Sequence, residues 1–422
     1  MRVEDFLKAK FAEYYSRSAD SIKGPKEPTK REFGFFYFDK DTVIRHVGFE
    51  NEQELRLYLR QDAPSDAYYS AAYYDDPRAP KMNEKEWLGC DLVFDIDADH
   101  IPTPCEQQHD LWKCRDCGER NRGKKPEKCP NCDSGRIEET RWVCEECLAV
   151  TKNEVIKAVE EYLVPDFGFN KSEIEISFSG HRGYHIHIEK DTIRKMDSQA
   201  RQEIVDYMKV IGLDLRLHGM YEKVGRRRSR VIVGPRTEDA GWRGRLARMF
   251  LTYIENLEST KSIEGISEAK LKLVLENKRE ILRGLRNKQP FWDVIKGVDI
   301  ETWYKLIKMA AHRASVSIDE PVTKDVHRLM RLPTSLHGKT GFKVISLTFF
   351  DLERFDPFKD SQVFRGEIIV YVKHAPEFRI GDGVFGPYKE KKVKLPMSAG
   401  IYLLSKGAAT FPRGEQLVQR DI

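Results

Sequence analysis

The sequence predicts an α+β fold in which mixed sheets are flanked by helices, with a cysteine-rich insertion and a mainly helical subdomain. Three observations predict this fold class. Strand patterns occur in the first 100 residues, between residues 173 and 188, and again at residues 343–350 and 366–372. Helical periodicity dominates residues 193–300. Seven of the eight cysteines lie between Cys105 and Cys147.

These patterns divide the chain into a core of residues 1–104, 148–192 and 301–422, an insertion at 105–147 and a helical subdomain at 193–300. Apolar periodicity predicts helices at residues 1–15, 52–59 and 152–162. Short apolar runs between turn-forming residues predict strands at residues 33–39, 42–45, 90–99, 173–178 and 184–188. Residues 64–80, which are rich in Pro and Tyr, predict a loop.

The composition limits the class of protein. Lys and Arg number 72 against 68 Asp and Glu, a net charge of +4, and 40% of the residues are hydrophobic, which excludes a disordered, collagen-like or coiled-coil chain. No apolar stretch reaches the roughly 18 residues that span a bilayer, and the N-terminus lacks the apolar core of a secretion signal. We therefore expect a cytoplasmic protein that does not associate with a membrane and whose cysteines stay reduced.

The cysteines form three Cys-x-x-Cys pairs, and this spacing lets a tight turn aim two sulfurs at one Zn²⁺ ion. The pattern predicts one or two structural zinc ions in a zinc knob that carries an inserted zinc ribbon. An alternative stays open, in which neighbouring Cys-x-x-Cys pairs exchange partners between the two zinc sites. The predicted ribbon site is Cys114, Cys117, Cys129 and Cys132, and the predicted knob site is Cys105, His109, Cys144 and Cys147.

Two acidic residues follow a buried apolar run. Asp95 and Asp97 are two apart on a predicted strand, so their carboxylates point to the same face. Two such charges repel each other unless a cation neutralises them, and Mg²⁺ or Mn²⁺ prefers oxygen ligands of this kind. The pattern alone fits three alternatives: a divalent-metal site, exposed acids at a strand end, or the acidic pair of a sugar-nucleotide transferase.

A turn with two glycines joins the next predicted strands and carries Ser179, Arg182 and His185. Glycines allow a ligand to approach the backbone, and Arg with His supplies positive charge to phosphate oxygens, so the turn predicts an anion site. His185 shares a strand face with His187, and a metal pair is the rival interpretation. Residues 318–341 are a second predicted site, because loops seldom combine Arg, His and Lys with two glycines.

Several separate motifs now stand in one order along the chain. They are Asp-Leu-Val-Phe-Asp-Ile-Asp at 91–97, the cysteine motif, Ser-Gly-His-Arg-Gly-Tyr-His at 179–185, Ile-Asp at 318–319 and Arg-Leu-Pro-Thr-Ser-Leu-His-Gly-Lys-Thr-Gly at 331–341. With Glu-Phe-Gly-Phe at 32–35 and Arg-His at 45–46, the chain resembles the small catalytic subunit of archaeal and eukaryotic DNA primases, the archaeal type above all.

The resemblance implies a primase-type catalytic core and assigns residues that spacing alone does not select. It implies that Asp95, Asp97 and Asp319 hold two Mg²⁺ or Mn²⁺ ions. It also implies that the knob residues bind zinc, whereas the ribbon is an insertion that most members of the family lack. The nucleotide-binding residues that it implies are Ser179, Arg182, His185, His337 and Lys339, with Arg331 and Arg45 at further basic positions of the family.

The resemblance further implies short RNA or mixed RNA/DNA primers, made on single-stranded DNA from nucleoside triphosphates by two-metal nucleotidyl transfer. The implied partner is a large subunit that carries an iron–sulfur cluster, in a heterodimer associated with the nucleoid and with the replicative polymerase and helicase. Two alternatives remain. One is a stand-alone primase-polymerase or repair polymerase of the same superfamily, and the other is a zinc-ribbon nucleic-acid-binding module without catalysis.

Overall fold

The computed structural model describes residues 2–101, 103, 105–224, 230–257, 263–287, 292, 295 and 297–412. It divides into two compact units. The first comprises Met1–Val159, Phe169–Gln202 and Ser317–Ile422, and the second comprises Glu160–Gly168 and Glu203–Val316. Within the described residues, no helix combines the length and the apolar character that crossing a membrane requires.

The chain mixes helices and strands throughout, which confirms the predicted α+β class. The helices are α1 (Val3–Ser18), α2 (Glu52–Asp62), α3 (Glu106–His109), α4 (Glu145–Lys157), α5 (Asp191–Arg194), α6 (Ser198–Lys209), α7 (Gly241–Glu255), α8 (Glu268–Glu276), α9 (Lys278–Leu285), α10 (Ile300–Ala314), α11 (Glu320–Lys324), α12 (Pro357–Asp360) and α13 (Met397–Ser405). The strands are β1 (Phe33–Tyr37), β2 (Lys40–Val47), β3 (Asp66–Ser70), β4 (Ala72–Tyr74), β5 (Trp87–Cys90), β6 (Leu92–Asp97), β7 (Leu111–Cys114), β8 (Arg120–Arg122), β9 (Ile137–Thr140), β10 (Ile174–Phe178), β11 (Gly183–Ile188), β12 (Tyr221–Val224), β13 (Arg230–Val233), β14 (Leu329–Arg331), β15 (Ile345–Thr348), β16 (Glu367–Ala375), β17 (Phe378–Ile380), β18 (Gly383–Phe385), β19 (Tyr388–Pro396) and β20 (Ala409–Thr410).

The central sheet of the first unit has the strand order β15-β10-β11-β6. Its strands are antiparallel, and Asp95 of β6 faces His185 of β11 across the ladder, while Asp97 faces Gly183. The run of Leu92, Val93 and Phe94 is buried, as its apolar character predicts. The acidic end of β6 and the turn between β10 and β11 therefore lie at the same edge of this sheet.

A second sheet, ordered β14-β3-β1-β2, delivers the other wall of the site. The loop predicted for residues 64–80 is wrong in part, because β3 and β4 occupy its middle. Ala67 and Tyr69 of β3 are buried on one face, and β3 pairs with both β1 and β14. The prolines that suggested a loop lie outside both strands, and the tyrosines favour pleated, half-buried positions.

The first unit also contains two three-stranded sheets and the two-stranded sheets β4-β5 and β17-β18. The cysteine-rich insertion forms the sheet β8-β7-β9, and the C-terminal residues form β19-β16-β20, against which α13 packs. The side chains of Ile401, Leu403 and Leu404 on α13 are buried. This packing fixes the end of α13, which ends immediately before Lys406.

The second unit contains α7–α10 and the hairpin β12–β13, so the region predicted as helical also includes two strands. The ring of Phe250 on α7 stacks on Trp292 at 5.5 Å between centroids. Arg245 is buried, forms an ion pair with Asp166 and lies 3.7 Å from the ring centroid of Tyr162. These contacts give Arg245 a structural role.

Candidate active site

Three aspartates meet at one edge of the central sheet. Asp95 and Asp97 are both partly exposed on β6, whereas Ile96 between them is buried, so the two carboxylates share one face. Asp319 immediately precedes α11, and its backbone N–H donates to the carbonyl oxygen of Asp95 at 2.9 Å. This hydrogen bond ties a residue more than 200 positions away to the acidic strand end.

The positive groups of the protein balance the charges of these carboxylates only in part. Burial, with the neighbouring charges of Asp97 and Asp319, raises the pKa of Asp95 to about 7. Burial also raises the pKa of Asp97, although Arg182 and His100 oppose this rise. Closely spaced carboxylates of this kind lose their mutual repulsion when a divalent cation binds between them. The donor set therefore fits a Mg²⁺ or Mn²⁺ ion.

The glycine turn lies beside the acidic group. The Ser179 hydroxyl accepts hydrogen bonds from the backbone N–H groups of His181 at 3.4 Å and Gly183 at 3.3 Å, which fixes the turn. Gly180 has φ +79°, and a Cβ there would lie 2.8 Å from the Cβ of His337. Glycine is thus required both by the backbone conformation and by the close approach of the second loop.

His185 faces the acidic group from the neighbouring strand. Its Nε2 lies 3.6 Å from Oδ1 of Asp95. Burial and the positive charge of Arg331 lower the pKa of His185 to about 3, so its imidazole is neutral at physiological pH. His187 lies elsewhere: its ring is held between the Tyr69 hydroxyl and the Asp91 carboxylate, each at 3.0 Å.

The loop after β14 forms the opposite wall. Arg331 forms an ion pair with Asp66 at 2.7 Å, and the same carboxylate accepts the backbone N–H of Gly338 at 3.1 Å. The ring of His337 stacks on that of His181 with centroids 5.1 Å apart. Lys339 is exposed at the mouth. Asp66 thus holds both the arginine and the loop backbone in place.

These groups surround a cleft of about 880 Å³. Five of the seven nucleotide-binding residues that the resemblance implies line it, and Asp319 lies beside it. The predicted residues in its lining are Asp95, Asp97, Ser179, His185, Arg331, His337 and Lys339. The cleft therefore combines an acidic edge with a cationic wall, within the first unit.

Arg182 and Arg45 do not line this cleft. Arg182 is 1% exposed, and its guanidinium donates to Asp110 at 2.8 Å and approaches the Cys147 sulfur at 3.8 Å. Arg45 forms an ion pair with the buried Glu32 at 2.9 Å. Each guanidinium is thus engaged with a buried acid in this structure, and a direct phosphate contact by either residue stays a prediction.

The cysteines form two compact clusters, each with its potential ligand atoms within 4.8 Å of one another. The first is buried for the most part, and His109 Nε2 lies 3.2 Å from the Cys147 sulfur. The second is half exposed. Cys90, the eighth cysteine, is buried on β5 outside both clusters. The clusters comprise Cys105, His109, Cys144 and Cys147 in the first, and Cys114, Cys117, Cys129 and Cys132 in the second.

A third group with potential ligands is Asp91, His187 and Glu189. The guanidinium of Arg31 is completely buried beside it, 2.6 Å from the Asp91 carboxylate and 3.8 Å from that of Glu189. The arginine supplies the positive charge that a cation would bring. This group is therefore an internal ion-pair network.

Sequence reasoning missed several residues of the cleft, among them Asp66, His181, Arg141 and Lys406. His181 stood in the predicted turn and could have been selected with its neighbours. Asp66 lay in the segment predicted as a loop. Lys406 belongs to a segment without a motif, and only the fold brings it to the cleft.

Comparison with known proteins agrees with this geometry. A family model described as DNA primase small subunit matches residues 127–349. The DNA primase small subunit PriS of Nitrosopumilus maritimus is 32% identical over 406 residues, 96% of this chain and 98% of the relative. That of Methanothrix thermoacetophila is 34% identical over 428 residues, 97% and 98% of the two chains. That of Archaeoglobus fulgidus is 33% identical over 411 residues, with 96% and 98% covered.

The likeness runs nearly from end to end, and these relatives are archaeal. It confirms the family and the function that the motifs predict. The family is that of a nucleotidyltransferase that makes RNA primers, and its designation as a small subunit implies a large-subunit partner and a DNA template. The acidic edge and the cationic cleft therefore belong to a member of the DNA primase small-subunit family, of the archaeal type, and the chain is the catalytic subunit of its primase.

Proposed function

We propose that this chain extends primers on single-stranded DNA at the cleft, with Asp95, Asp97 and Asp319 holding two Mg²⁺ or Mn²⁺ ions. One observation carries the proposal: the pKa of Asp95 is raised to about 7 beside two further carboxylates, at the edge of a cleft whose other wall is cationic. Such a site suits a metal-bound polyanion, because the ions neutralise the acids and the cations receive the phosphates.

The chemistry that bound metal supplies is a lowered pKa of the attacking 3′-hydroxyl and stabilisation of the departing pyrophosphate. The side chains and backbone of the protein position the groups that hold the metal ions and the phosphates. Asp319 is held to β6 by its backbone hydrogen bond to Asp95, which places the third carboxylate beside the other two. Ser179, fixed by two backbone donors, lies next to this edge and offers its hydroxyl to a phosphate oxygen.

The cationic wall holds the triphosphate in line with the primer end. His185 is neutral and donates a hydrogen bond rather than a charge. Arg331 is oriented by its ion pair with Asp66, and Lys339 is exposed and offers a mobile charge at the mouth of the cleft. We assign direct contact with phosphate to these three residues, together with Ser179 and His337.

Arg182 receives a different role from the one that the resemblance implies. We propose that it is a positioning residue, which joins the glycine turn to Asp110 and to the first cysteine cluster. Arg45 likewise supports the second sheet through Glu32. Neither role requires contact with a nucleotide.

We further propose that both cysteine clusters bind zinc. The sulfurs of Cys114 and Cys132 lie 3.6 Å apart, as do those of Cys117 and Cys129. A disulfide needs about 2.05 Å, whereas the edge of a tetrahedron with zinc–sulfur bonds of about 2.3 Å is roughly 3.8 Å. The distances in this cluster fit a common ion, and four ligands in each cluster leave no open position, so both ions are structural.

The partner that we propose is a large subunit with an iron–sulfur cluster, in a heterodimer. The two cysteine clusters use seven of the eight cysteines, and Cys90 is buried alone, so the described residues offer no further set of thiolates for such a cluster. A stand-alone primase-polymerase is the alternative. Co-purification of a second polypeptide with the native chain in a one-to-one ratio supports the heterodimer, and its absence favours the alternative.

The catalytic assignment is tested with Asp319→Asn, because this ligand is the one that spacing could not select. We expect primer synthesis on a single-stranded template to fall at least 1,000-fold, about 4 kcal/mol of transition-state stabilisation. Asp325→Asn is the matched control, since Asp325 is exposed and its carboxylate accepts the His327 N–H. Full activity of the Asp319 variant, or equal loss in the control, contradicts the assignment.

A further inference from the structure

One lysine in the cleft has no part in the assignments above. Lys406 follows α13 and lines the cleft next to Ser405. Its ammonium donates to the backbone carbonyl of Arg141 at 2.6 Å and is 2.7 Å from Nε2 of His181. Both partners are neutral acceptors. Among the described residues, no carboxylate forms an ion pair with this ammonium at 4 Å or less.

The groups around Lys406 add positive charge. Burial and the charges of Arg182 and Lys339 lower the pKa of Lys406 to about 7. Burial and the charge of Lys406 hold the pKa of His181 well below its usual range, and burial and the charge of Arg331 do the same for the pKa of the stacked His337. Asp110 and Asp97 oppose the effect only from a distance.

The acids that could balance this charge are already engaged. The Asp110 carboxylate accepts hydrogen bonds from Arg182 at 2.8 Å and from the backbone N–H of Trp142 at 2.8 Å, and it pairs with the His109 ring at 2.7 Å. Asp97 belongs to the proposed metal site. A half-buried ammonium that has no carboxylate within ion-pair distance favours an anion, so the free protein offers a place for one in this part of the cleft.

We propose that Lys406 binds the pyrophosphate portion of the incoming nucleoside triphosphate, and that His181 positions its amino group by accepting one of its hydrogen bonds. This inference rests on the proposed function, and it adds that the α-phosphate, where the reaction occurs, lies at the metal ions that Asp95 and Asp97 would hold. The remaining two phosphates then extend along the cationic wall, where Lys406 supplies a charge-assisted hydrogen bond.

The structural alternative is that Lys406 only anchors the base of the cysteine-rich insertion through the Arg141 carbonyl. The two roles differ in what a substitution changes. Loss of an anchor alters stability and weakens all nucleotides alike. Loss of a pyrophosphate contact weakens only ligands that carry a β-phosphate.

The test is equilibrium binding of ATP, ADP and AMP to the purified chain in Mg²⁺, for the wild type and for Lys406→Met. We expect the Kd of ATP and ADP to rise about 10- to 100-fold, as loss of a charged hydrogen bond does, with the Kd of AMP within about twofold. Primer extension should show a raised KM for the nucleotide with a smaller change in kcat. Lys406→Arg should recover most of the ATP affinity, and His181→Ala should lose an intermediate amount.

Lys152→Met is the matched control. Lys152 is half-buried, donates to the Phe355 carbonyl at 2.8 Å, and has a pKa lowered by burial, but it does not line the cleft. We expect its nucleotide affinities to equal those of the wild type. If Lys406→Met does not fold, the arginine and His181 variants carry the same comparison.

The outcomes separate the two proposals. A wild-type chain that binds no ATP overturns the proposed function and this inference with it. A wild type that binds ATP, with Lys406→Met indistinguishable from Lys152→Met, overturns the inference alone. Equal weakening of ATP, ADP and AMP assigns Lys406 to the anchor and also overturns it. Selective loss of ATP and ADP supports it.

Discussion

Asp95→Asn is predicted to remove catalysis and, at the same time, to stabilise the metal-free protein. The wild-type carboxylate is held among acids in a partly buried position, and its pKa is raised from 3.8 to about 7. An amide of nearly the same shape carries no charge, so the repulsion and the burial cost disappear together. The acidic edge thus carries electrostatic repulsion that the proposed metal ions would relieve.

The magnitude follows from the pKa of this group in the two states. A difference of about 3 pKa units corresponds to about 4 kcal/mol. The Asp95 side chain is 21% exposed, so solvent screens part of the effect, and we expect about 2 to 4 kcal/mol. Between pH 4 and pH 7 the folded state holds a proton that the unfolded chain releases. Wild-type stability therefore falls as the pH rises through this range and stays low above it.

Urea denaturation without added Mg²⁺ or Mn²⁺ at pH 4.5, 6 and 8 measures this effect. The stability of the asparagine variant minus that of the wild type should be smallest at pH 4.5, at about a quarter of its full value, and largest at pH 8. Added Mg²⁺ should stabilise the wild type and leave the variant almost unchanged, since ligands stabilise only the state that binds them.

The control for this series is Asp62→Asn, at the exposed C-terminal end of α2. Its stability should differ from the wild type by less than about 0.5 kcal/mol at every pH. The reasoning is refuted if Asp95→Asn is no more stable than the wild type at pH 8, or if its advantage is the same at pH 4.5.

Two further predictions concern the cysteine clusters and Arg45, which do not line the cleft. The purified chain should release two zinc ions on denaturation in a colorimetric chelator assay. Cys105→Ser, in the buried cluster, should lower both the urea midpoint of unfolding and the rate of primer synthesis. Cys117→Ser, in the exposed cluster, should lose one zinc ion and keep a near-normal rate of primer synthesis. Arg45→Ala should destabilise the fold by about 1 to 3 kcal/mol, because it removes an ion pair of the buried Glu32. The KM for nucleotides should stay within about twofold of the wild-type value. A large rise in this KM would instead assign Arg45 a direct contact with the nucleotide.

Much of the site could be predicted because its residues lie in short, dense motifs. The acids of β6 follow an apolar run that had to be buried, and strand alternation then set their common face. The turn at Ser179 carried its glycines and its charges within a few residues. Local patterns of this kind survive in the fold because they do not depend on distant partners.

The rest depended on contacts that no local pattern contains. Asp66 sits in a segment whose prolines suggested a loop, yet pairing of β3 with β1 makes it a strand that reaches Arg331. Lys406 reaches the cleft only because α13 packs on the C-terminal sheet. Arg182 looked like a phosphate ligand by its place in the turn. In the fold its guanidinium is engaged by the buried carboxylate of Asp110, more than 70 residues earlier.

The orientation of Arg182 changes what the first cysteine cluster does for catalysis. His109 of this cluster hydrogen-bonds to Asp110, Asp110 accepts from Arg182, and Arg182 also approaches Cys147. The cluster therefore lies directly behind the glycine turn, whose backbone carries Ser179 into the cleft. A metal ion in this cluster would fix the buried acid, the arginine and then the turn. On the assignments proposed above, a structural zinc ion with no open position sets the place of Ser179, so we expect the buried cluster, more than the exposed ribbon, to govern primer synthesis.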